Sequence, residues 1–143
     1  MSSVAEHKKR IREHLEELQE AVNIGVEKRP VTVGFHASAC AAEMLEMYLH
    51  LASLISTGKK VNHTWFRRPQ EGQKIEPLIE RKLPVSFPDK EKVYALIYAI
   101  EDSMDNLVYG KPGRGEAESV FAAFQRLKTV MEKKIGERGG SLE

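Results

Sequence analysis

Four polar residues recur along one side of the longest apolar stretch of the sequence, and their types are those of acid–base and metal-binding sites. His36, Glu43 and His50 stand seven residues apart, and Glu46 lies four residues before His50. In a helix, residues separated by three, four or seven positions share a face, so these side chains are predicted to form a narrow seam. Imidazole and carboxylate groups transfer protons and ligate transition metals.

The spacing within this seam differs from that of a di-iron bundle. Such sites use Glu-x-x-His pairs from two helices, whereas Glu46 and His50 are four positions apart. Glu101 and Asp105 have the same spacing and would add two carboxylates from another predicted helix. We therefore predict no metal site and no cofactor, and we interpret the seam as a structural or solvated set of polar residues.

A second group of residues mixes cations with aromatic rings directly after the apolar stretch. Cations contact phosphate and aromatic rings stack on bases, so this mixture is typical of single-stranded nucleic-acid binding. In the other interpretation, Trp65 and Phe66 enter the core and pin the segment while the cations stay in water. If the protein binds RNA, Trp65 is predicted to stack on a base and the cations to contact phosphate. The predicted nucleic-acid-binding residues are Lys59, Lys60, His63, Trp65, Arg67 and Arg68.

The apolar stretch, residues 34–56, is predicted to be a long helix because it is rich in Ala, Leu and Met and has no Gly or Pro after its first position. Its apolar residues fall on two opposite faces, whereas a helix of a four-helix bundle normally buries one stripe. The second face predicts a homodimer formed through this central helix, and the alternative is that the following loop covers it. One face carries Phe35, Ala39, Ala42, Leu45, Leu49 and Ala52, and the other carries Cys40, Met44, Met47, Tyr48, Leu51 and Ile55.

Three further amphipathic patterns predict helices on either side of the central one. The first begins at a Ser2 or Ser3 cap and runs to about residue 26, the third begins at Ser86 or Asp89, and the fourth covers about 116–135. Arg29-Pro30 predicts a turn over 27–33, because a residue before Pro avoids the helical region.

Residues 59–89 fit no regular element apart from a helical turn or two over 75–79, and a loop of this length in a compact domain is usually functional. The predicted fold is therefore all-α, an antiparallel up-and-down four-helix bundle with a long loop between helices 2 and 3. Residues 1–135 form one domain, and 136–143 are predicted to be a frayed tail.

The amino-acid composition says more about the environment in which the protein resides than about its function. The 22 Lys and Arg residues nearly balance the 21 Asp and Glu residues, so no global field favours nucleic acid or an anionic membrane. Cys40 is the single cysteine and cannot form an internal disulfide, which fits a reducing compartment, and we expect it to be an inert core thiol. No apolar run reaches the length of about 18 residues typical of a membrane span. These features predict a cytoplasmic protein.

The order of these features resembles the HEPN family, the higher eukaryotes and prokaryotes nucleotide-binding domains. The resemblance covers roughly residues 30–112: the Ala-rich run FHASACAAEMLEMYL, then Gly58, His63 in the linker, the segment 75–79, and EDSMDNLVYGKP at the end of the third helix. It implies a helical, usually dimeric module that is often partnered with a minimal nucleotidyltransferase. It also implies, for some members, metal-independent ribonuclease activity.

The ribonuclease signature of that family is an Arg, four to six further residues and a His, placed late in the bundle. No His follows His63 in this sequence. Arg29 and His36 have the spacing, but they precede or begin the second helix, and Pro30 follows Arg29 where the family prefers a small polar residue. The resemblance therefore favours a non-catalytic member that binds RNA, a nucleotide or a protein partner.

Two alternatives stay open at this point. One is a metal-independent ribonuclease of a toxin–antitoxin type system, with Arg29 and His36, or Glu46 and His50, as candidate catalytic residues; His would transfer a proton and Arg would stabilise phosphate charge. The other is a purely structural protein-interaction module that a partner covers along the central helix.

Overall fold

The computed structural model describes residues 3–56, 58–69, 72 and 75–143, and within these ranges the fold is all-helical, without a strand. In the described part of the chain, no helix is long and apolar enough to cross a membrane. Two short 3-10 turns, Val26–Lys28 and His63–Phe66, lie between the α-helices. The α-helices are α1 (Val4–Ile24), α2 (Pro30–Leu51), α3 (Leu78–Lys82), α4 (Lys90–Tyr109) and α5 (Glu116–Glu137).

The start of α1 is fixed by a reciprocal cap. The Ser3 hydroxyl accepts a hydrogen bond from the Glu6 backbone N–H at 3.2 Å, and the Glu6 carboxylate accepts one from the Ser3 N–H at 3.1 Å. This capping box satisfies two N–H groups that the first helical turn would otherwise leave unpaired. The prediction of a cap at Ser3 is confirmed, and Ser2 lies outside the described residues.

The limits of α2 differ from those predicted. The helix already begins at Pro30, so the predicted turn over 27–33 is wrong in its second half. Proline suits the first helical position, because its fixed φ matches the helix and its missing N–H needs no partner there. The helix ends at Leu51 rather than near residue 56, and Ser53 adopts a left-handed φ of 57°, which breaks the helical run.

Helix α2 is the centre of the fold, since α1, α4 and α5 all pack against it. Cys40, Met44 and Met47 on one predicted face and Leu45 on the other are all fully buried within a single chain, and the prediction that Cys40 is a core residue is thereby confirmed. Both apolar faces are therefore covered along the middle of the helix without a second subunit, whereas Phe35, at the start of one face, is exposed. A homodimer stays a prediction, but its support has to come from other residues.

A buried lysine ties the end of α5 to the start of α4. Lys134 Nζ donates a hydrogen bond to the carbonyl of Pro88, lies 3.6 Å from the Asp89 carboxylate and sits 5.6 Å from the centre of the Phe87 ring. Asp89 directly precedes α4, as predicted, yet its side chain makes no capping hydrogen bond. Its carboxylate faces the buried ammonium group, which needs a counter-charge.

The two segments with the least regular sequence are both packed onto the helices. In the long connection, α3 begins at Leu78, three residues later than the predicted helical turn, and buries Ile79. After α5, the Gly140 N–H donates to the carbonyl of Ile135 at 2.9 Å, and Leu142 is only 8% exposed. The tail therefore folds back onto the protein, in contrast to the predicted fraying, because it carries an apolar residue that the core accepts.

Candidate functional sites: a histidine–carboxylate cluster and a pinned basic segment

Three of the predicted seam residues, Glu43, Glu46 and His50 of α2, lie beside a histidine of α1. His7 Nε2 is 3.2 Å from Glu46 Oε2, and His50 Nε2 is 3.9 Å from the same oxygen. One ligand atom from each of the three residues lies within 4.8 Å of the other two. His7 is fully buried and Glu46 is 4% exposed. Two imidazoles and a carboxylate therefore converge in an interior position.

The outer atoms of this group are held by further hydrogen bonds. His7 Nδ1 is 2.5 Å from Glu43 Oε1, and Arg10 Nε donates to the same oxygen at 2.9 Å, a bond that raises the pKa of Arg10. On the other side, the backbone N–H of Val61 donates to Glu46 Oε1 at 2.7 Å. We call this group the His7 cluster: His7, Arg10, Glu43, Glu46 and His50.

Two nitrogens of the His7 cluster lack a partner. His7 Nε2 and His50 Nε2 are buried, and neither makes a hydrogen bond to any described residue. Buried polar atoms in folded proteins are nearly always hydrogen-bonded, so two unpaired nitrogens close to one carboxylate oxygen are unusual. Such atoms can accept a proton or ligate a metal ion.

A second buried carboxylate, that of Glu101, belongs to α4, and both of its oxygens have hydrogen-bond partners. Ser38 Oγ donates to Glu101 Oε2 at 2.7 Å, His63 Nδ1 is 3.0 Å from Oε1, and Arg67 Nε is 3.6 Å from Oε1. We call Ser38, His63, Arg67 and Glu101 the Glu101 cluster. Both oxygens of its carboxylate have partners, so this cluster joins α2, α4 and the His63–Phe66 turn as a satisfied structural contact.

The segment predicted to bind nucleic acid is attached to α4 by its own cations. Arg67 Nη2 lies 3.5 Å from the Asp105 carboxylate. Arg68 Nε lies 2.9 Å from the Asp102 carboxylate, and the Arg68 guanidinium lies 4.6 Å above the Tyr98 ring. Carboxylates on α4 therefore already neutralise both guanidinium groups. A phosphate group would have to displace these carboxylates in order to bind either arginine.

The other residues of this segment divide between core and solvent. Phe66 is fully buried against Tyr94, with ring centroids 5.1 Å apart, and Trp65 is partly buried and packs against the core. Lys59 and Lys60 are exposed. This arrangement matches the interpretation in which the aromatic side chains pin the segment.

His36 and Arg29, the remaining candidate catalytic residues, are placed away from the His7 cluster. His36 Nδ1 is 2.9 Å from Nδ1 of His14, and burial lowers the pKa of both imidazoles. Ten residues of helix separate His36 from Glu46, a rise of about 15 Å. Arg29 is exposed at the position before α2. The structure therefore does not combine these candidates with Glu46 and His50.

Sequence reasoning missed His7 and Ser38. His7 belongs to a run with Ile11, His14 and Leu18 in which the spacing alternates between three and four residues, the pattern of a buried stripe. Comparison with protein-family models, with curated proteins and with solved structures found no match.

Proposed function

We propose that this chain is a HEPN-like helical module that acts by binding another protein chain, and that the partner is a second copy of the same chain. The proposal draws on the order of helices that resembles the HEPN family. It draws further on one surface feature of the fold, and the two kinds of support are independent.

The observation that carries the proposal is a concentration of exposed apolar side chains at one end of the molecule. Among the described residues, seven large apolar side chains are exposed, and five of them belong to the C-terminal parts of α1 and α4 or the N-terminal part of α2. These parts are neighbours, since only residues 25–29 separate the end of α1 from the start of α2, and a Cβ on Gly34 would lie 2.8 Å from the Leu107 side chain. The five residues are Val22, Ile24, Val31, Phe35 and Tyr109.

Exposed apolar residues gathered in one region are characteristic of protein–protein contacts, whereas isolated ones are normal on any surface. Phe35 is 48% exposed and Val31 is 53% exposed, one turn apart on α2. The proposed contact therefore uses the central helix, as expected from the sequence, but through its N-terminal half. RNA is the less favoured ligand, because Arg67 and Arg68 already face carboxylates.

The proposed module is an antiparallel up-and-down bundle of α1, α2, α4 and α5. Contacts between helix ends support this arrangement: His7 near the start of α1 contacts Glu43 in the second half of α2, and Gly34 near the start of α2 approaches Leu107 near the end of α4. Lys134 near the end of α5 reaches Asp89 at the start of α4.

Sedimentation velocity at micromolar concentration tests the proposal. The parent protein is expected to sediment as a dimer, and Phe35→Asp is expected to shift it to a monomer because the exposed ring would be replaced by a charge. Val4→Asp is the matched control, since Val4 is 38% exposed at the start of α1, the end of that helix that lies beside the second half of α2. A monomeric parent, or a Phe35→Asp variant that stays dimeric, contradicts the proposed contact.

A further inference from the structure

The unpaired nitrogens of the His7 cluster point to a ligand. We propose that His7, Glu46 and His50 bind one divalent transition-metal ion through His7 Nε2, His50 Nε2 and Glu46 Oε2, and that Zn²⁺ is the ion that fits this set best. The proposal is independent of the proposed self-association, since it concerns the interior of one chain.

Two of the three separations between these atoms are close to those of a metal site, and the three residues offer ligand atoms that all lie within 4.8 Å of one another. Zinc lies about 2.0–2.2 Å from nitrogen and oxygen ligands in tetrahedral geometry, which places ligand atoms about 3.4 Å from one another. The observed distances to Glu46 Oε2, 3.2 Å from His7 Nε2 and 3.9 Å from His50 Nε2, lie on either side of that value. At 3.2 Å, His7 Nε2 and Glu46 Oε2 are close but make no hydrogen bond, so this nitrogen is available to a metal ion.

Two groups face His7 Nδ1, and the nearer one favours the required tautomer: Glu43 Oε1, which can only accept a hydrogen bond, lies at 2.5 Å, and Arg10 Nη2, which can only donate one, lies at 3.3 Å. When Nδ1–H donates to Glu43 in a neutral imidazole, the lone pair is on Nε2, the atom that faces Glu46. Histidine ligands in metal sites usually donate their other N–H to a carboxylate or a carbonyl in this way. Glu43 is itself held by Arg10, which keeps the carboxylate oriented toward His7.

A hydrogen bond orients the carboxylate of Glu46 in the same way. The Val61 N–H occupies Oε1 and leaves Oε2 toward the two imidazoles. A metal ion bound to Oε2 would thereby connect α1, α2 and the segment that begins at Val61. The first role that follows from this placement is structural, since the ion would join three parts of the chain in the interior.

The charge of the cluster also calls for a cation. Two acidic side chains, Glu43 and Glu46, are joined in this cluster by one guanidinium group, that of Arg10. Buried acidic groups are usually paired or coordinate a metal. A divalent cation at Glu46 Oε2 would add positive charge at the buried end of the cluster.

The donor set identifies the class of metal. Two imidazoles and one carboxylate ligate Zn²⁺ and Fe²⁺, and they leave a further coordination position for water. Mg²⁺ and Ca²⁺ prefer sites made only of oxygen atoms. Binding of Zn²⁺ without binding of Mg²⁺ is therefore the expected selectivity.

Isothermal titration of the tag-free, chelator-stripped protein with ZnCl₂ tests the site. The expected result is saturable binding of one Zn²⁺ per chain, a rise in the midpoint of thermal unfolding, and no response to MgCl₂. His50→Gln and Glu46→Gln should abolish the one-to-one binding because each removes a ligand. Glu43→Gln should weaken it by about 10- to 100-fold, the usual effect of losing a carboxylate that orients a ligating histidine.

His63→Gln is the matched control, because His63 is a partly buried histidine bonded to the carboxylate of Glu101 and lies outside the site. It should bind Zn²⁺ as the parent does. Circular dichroism of each variant separates loss of a ligand from loss of folding. If a ligand variant fails to fold, Co²⁺ bound to the parent decides: an intense visible spectrum of a four- or five-coordinate ion supports the site. Absence of saturable binding in the parent, unchanged binding by His50→Gln, or a weak octahedral Co²⁺ spectrum overturns it.

Discussion

The fold contains two buried glutamates, Glu46 and Glu101, and their surroundings differ in one respect. Both residues lie on long helices and are under 10% exposed. Each carboxylate is next to a histidine, and an arginine belongs to each cluster: Arg10 in that of Glu46 and Arg67 in that of Glu101. Around Glu101 each polar partner is hydrogen-bonded, or exposed enough for water to complete its bonds. Around Glu46 two imidazole nitrogens are buried and make no hydrogen bond to any residue that the structure describes.

This difference separates a contact that holds the fold from the proposed metal site. A satisfied polar network rigidifies its surroundings, whereas a partly satisfied one costs free energy until something completes it. The Glu101 cluster should therefore contribute stability in the protein alone. The His7 cluster should contribute fully only with a cation bound.

The largest effect is expected from removing the two carboxylates in turn. Glu101→Ala deletes hydrogen bonds to Ser38 and His63 and should lower the free energy of unfolding by about 3 kcal/mol, since hydrogen bonds to charged groups are the stronger ones. Glu46→Ala without metal should cost only about 1 kcal/mol, because losing the acceptor of the Val61 N–H is offset by removing a buried acidic group.

Urea denaturation measured with and without Zn²⁺ checks this pair. Zinc should stabilise the parent and Glu101→Ala alike and leave Glu46→Ala unchanged. If Glu46→Ala is the more destabilised variant in metal-free buffer, then the two clusters do not differ as described here.

A smaller effect is expected at the place where α2 and α4 approach each other beside Ser38. Gly34 allows this approach, since a Cβ there would lie 2.8 Å from Leu107 Cβ. Gly34→Ala should lower the free energy of unfolding by about 2 kcal/mol through overpacking, even though alanine is the better helix former. Zinc binding should be unaffected, since the His7 cluster lies at the other end of α2.

Gly136→Ala is the matched control for that substitution. Gly136 lies in α5, and a Cβ at this position meets no atom within 4 Å. This variant should gain up to about 1 kcal/mol from helix propensity alone. Equal responses of Gly34→Ala and Gly136→Ala in thermal unfolding would show that the close approach does not constrain α2 and α4.

A second pair of histidines, His14 and His36, gives an effect that depends on pH. Burial lowers the pKa of both groups, and the neighbouring His36 lowers that of His14 further. Below the ordinary histidine pKa the unfolded chain binds more protons than the folded one, so stability is fully present above about pH 6.5 and falls as the pH decreases through the folded pKa values. The His14→Gln/His36→Gln double variant should lose less stability than the parent between pH 7.5 and 5.5. If the double variant has the same pH profile of stability as the parent, His14 and His36 are not the source of this pH dependence.

The smallest effect is expected for the exposed ion pair of the basic segment. Arg68→Ala should cost about 0.5 kcal/mol, because exposed salt bridges are weak and the contact with Tyr98 adds little at the surface. Binding of a single-stranded RNA at low salt, measured by fluorescence anisotropy, should be equally weak in the parent and in this variant. Tight RNA binding by the parent that Arg68→Ala reduces would restore the nucleic-acid prediction.

The sequence was sufficient to predict features set by local patterns. The cap at Ser3, the burial of Cys40 and the helical nature of each amphipathic segment follow from neighbours a few positions away. Pro30 is a favourable first residue of a helix, but it is equally favourable in a turn. The local sequence does not distinguish these two roles, and the turn predicted over 27–33 was wrong from Pro30 onward.

The candidate site depends on contacts that no local pattern contains. Glu43, Glu46 and His50, three of the five members of the His7 cluster, were identified from their spacing. His7 is 39 positions before Glu46, and Val61 is 15 positions after it. His7 and Val61 reach Glu46 only because of the way α1 and the segment after α2 pack against α2. A single sequence without related sequences does not determine that packing.

Diffraction from zinc-loaded crystals, recorded at X-ray energies on both sides of the zinc absorption edge, tests the central claim most directly. We expect one anomalous peak per chain, about 2.1 Å from His7 Nε2, His50 Nε2 and Glu46 Oε2. A peak elsewhere, or density in which His7 and Glu46 are joined directly by a hydrogen bond with no ion between them, would contradict the metal site.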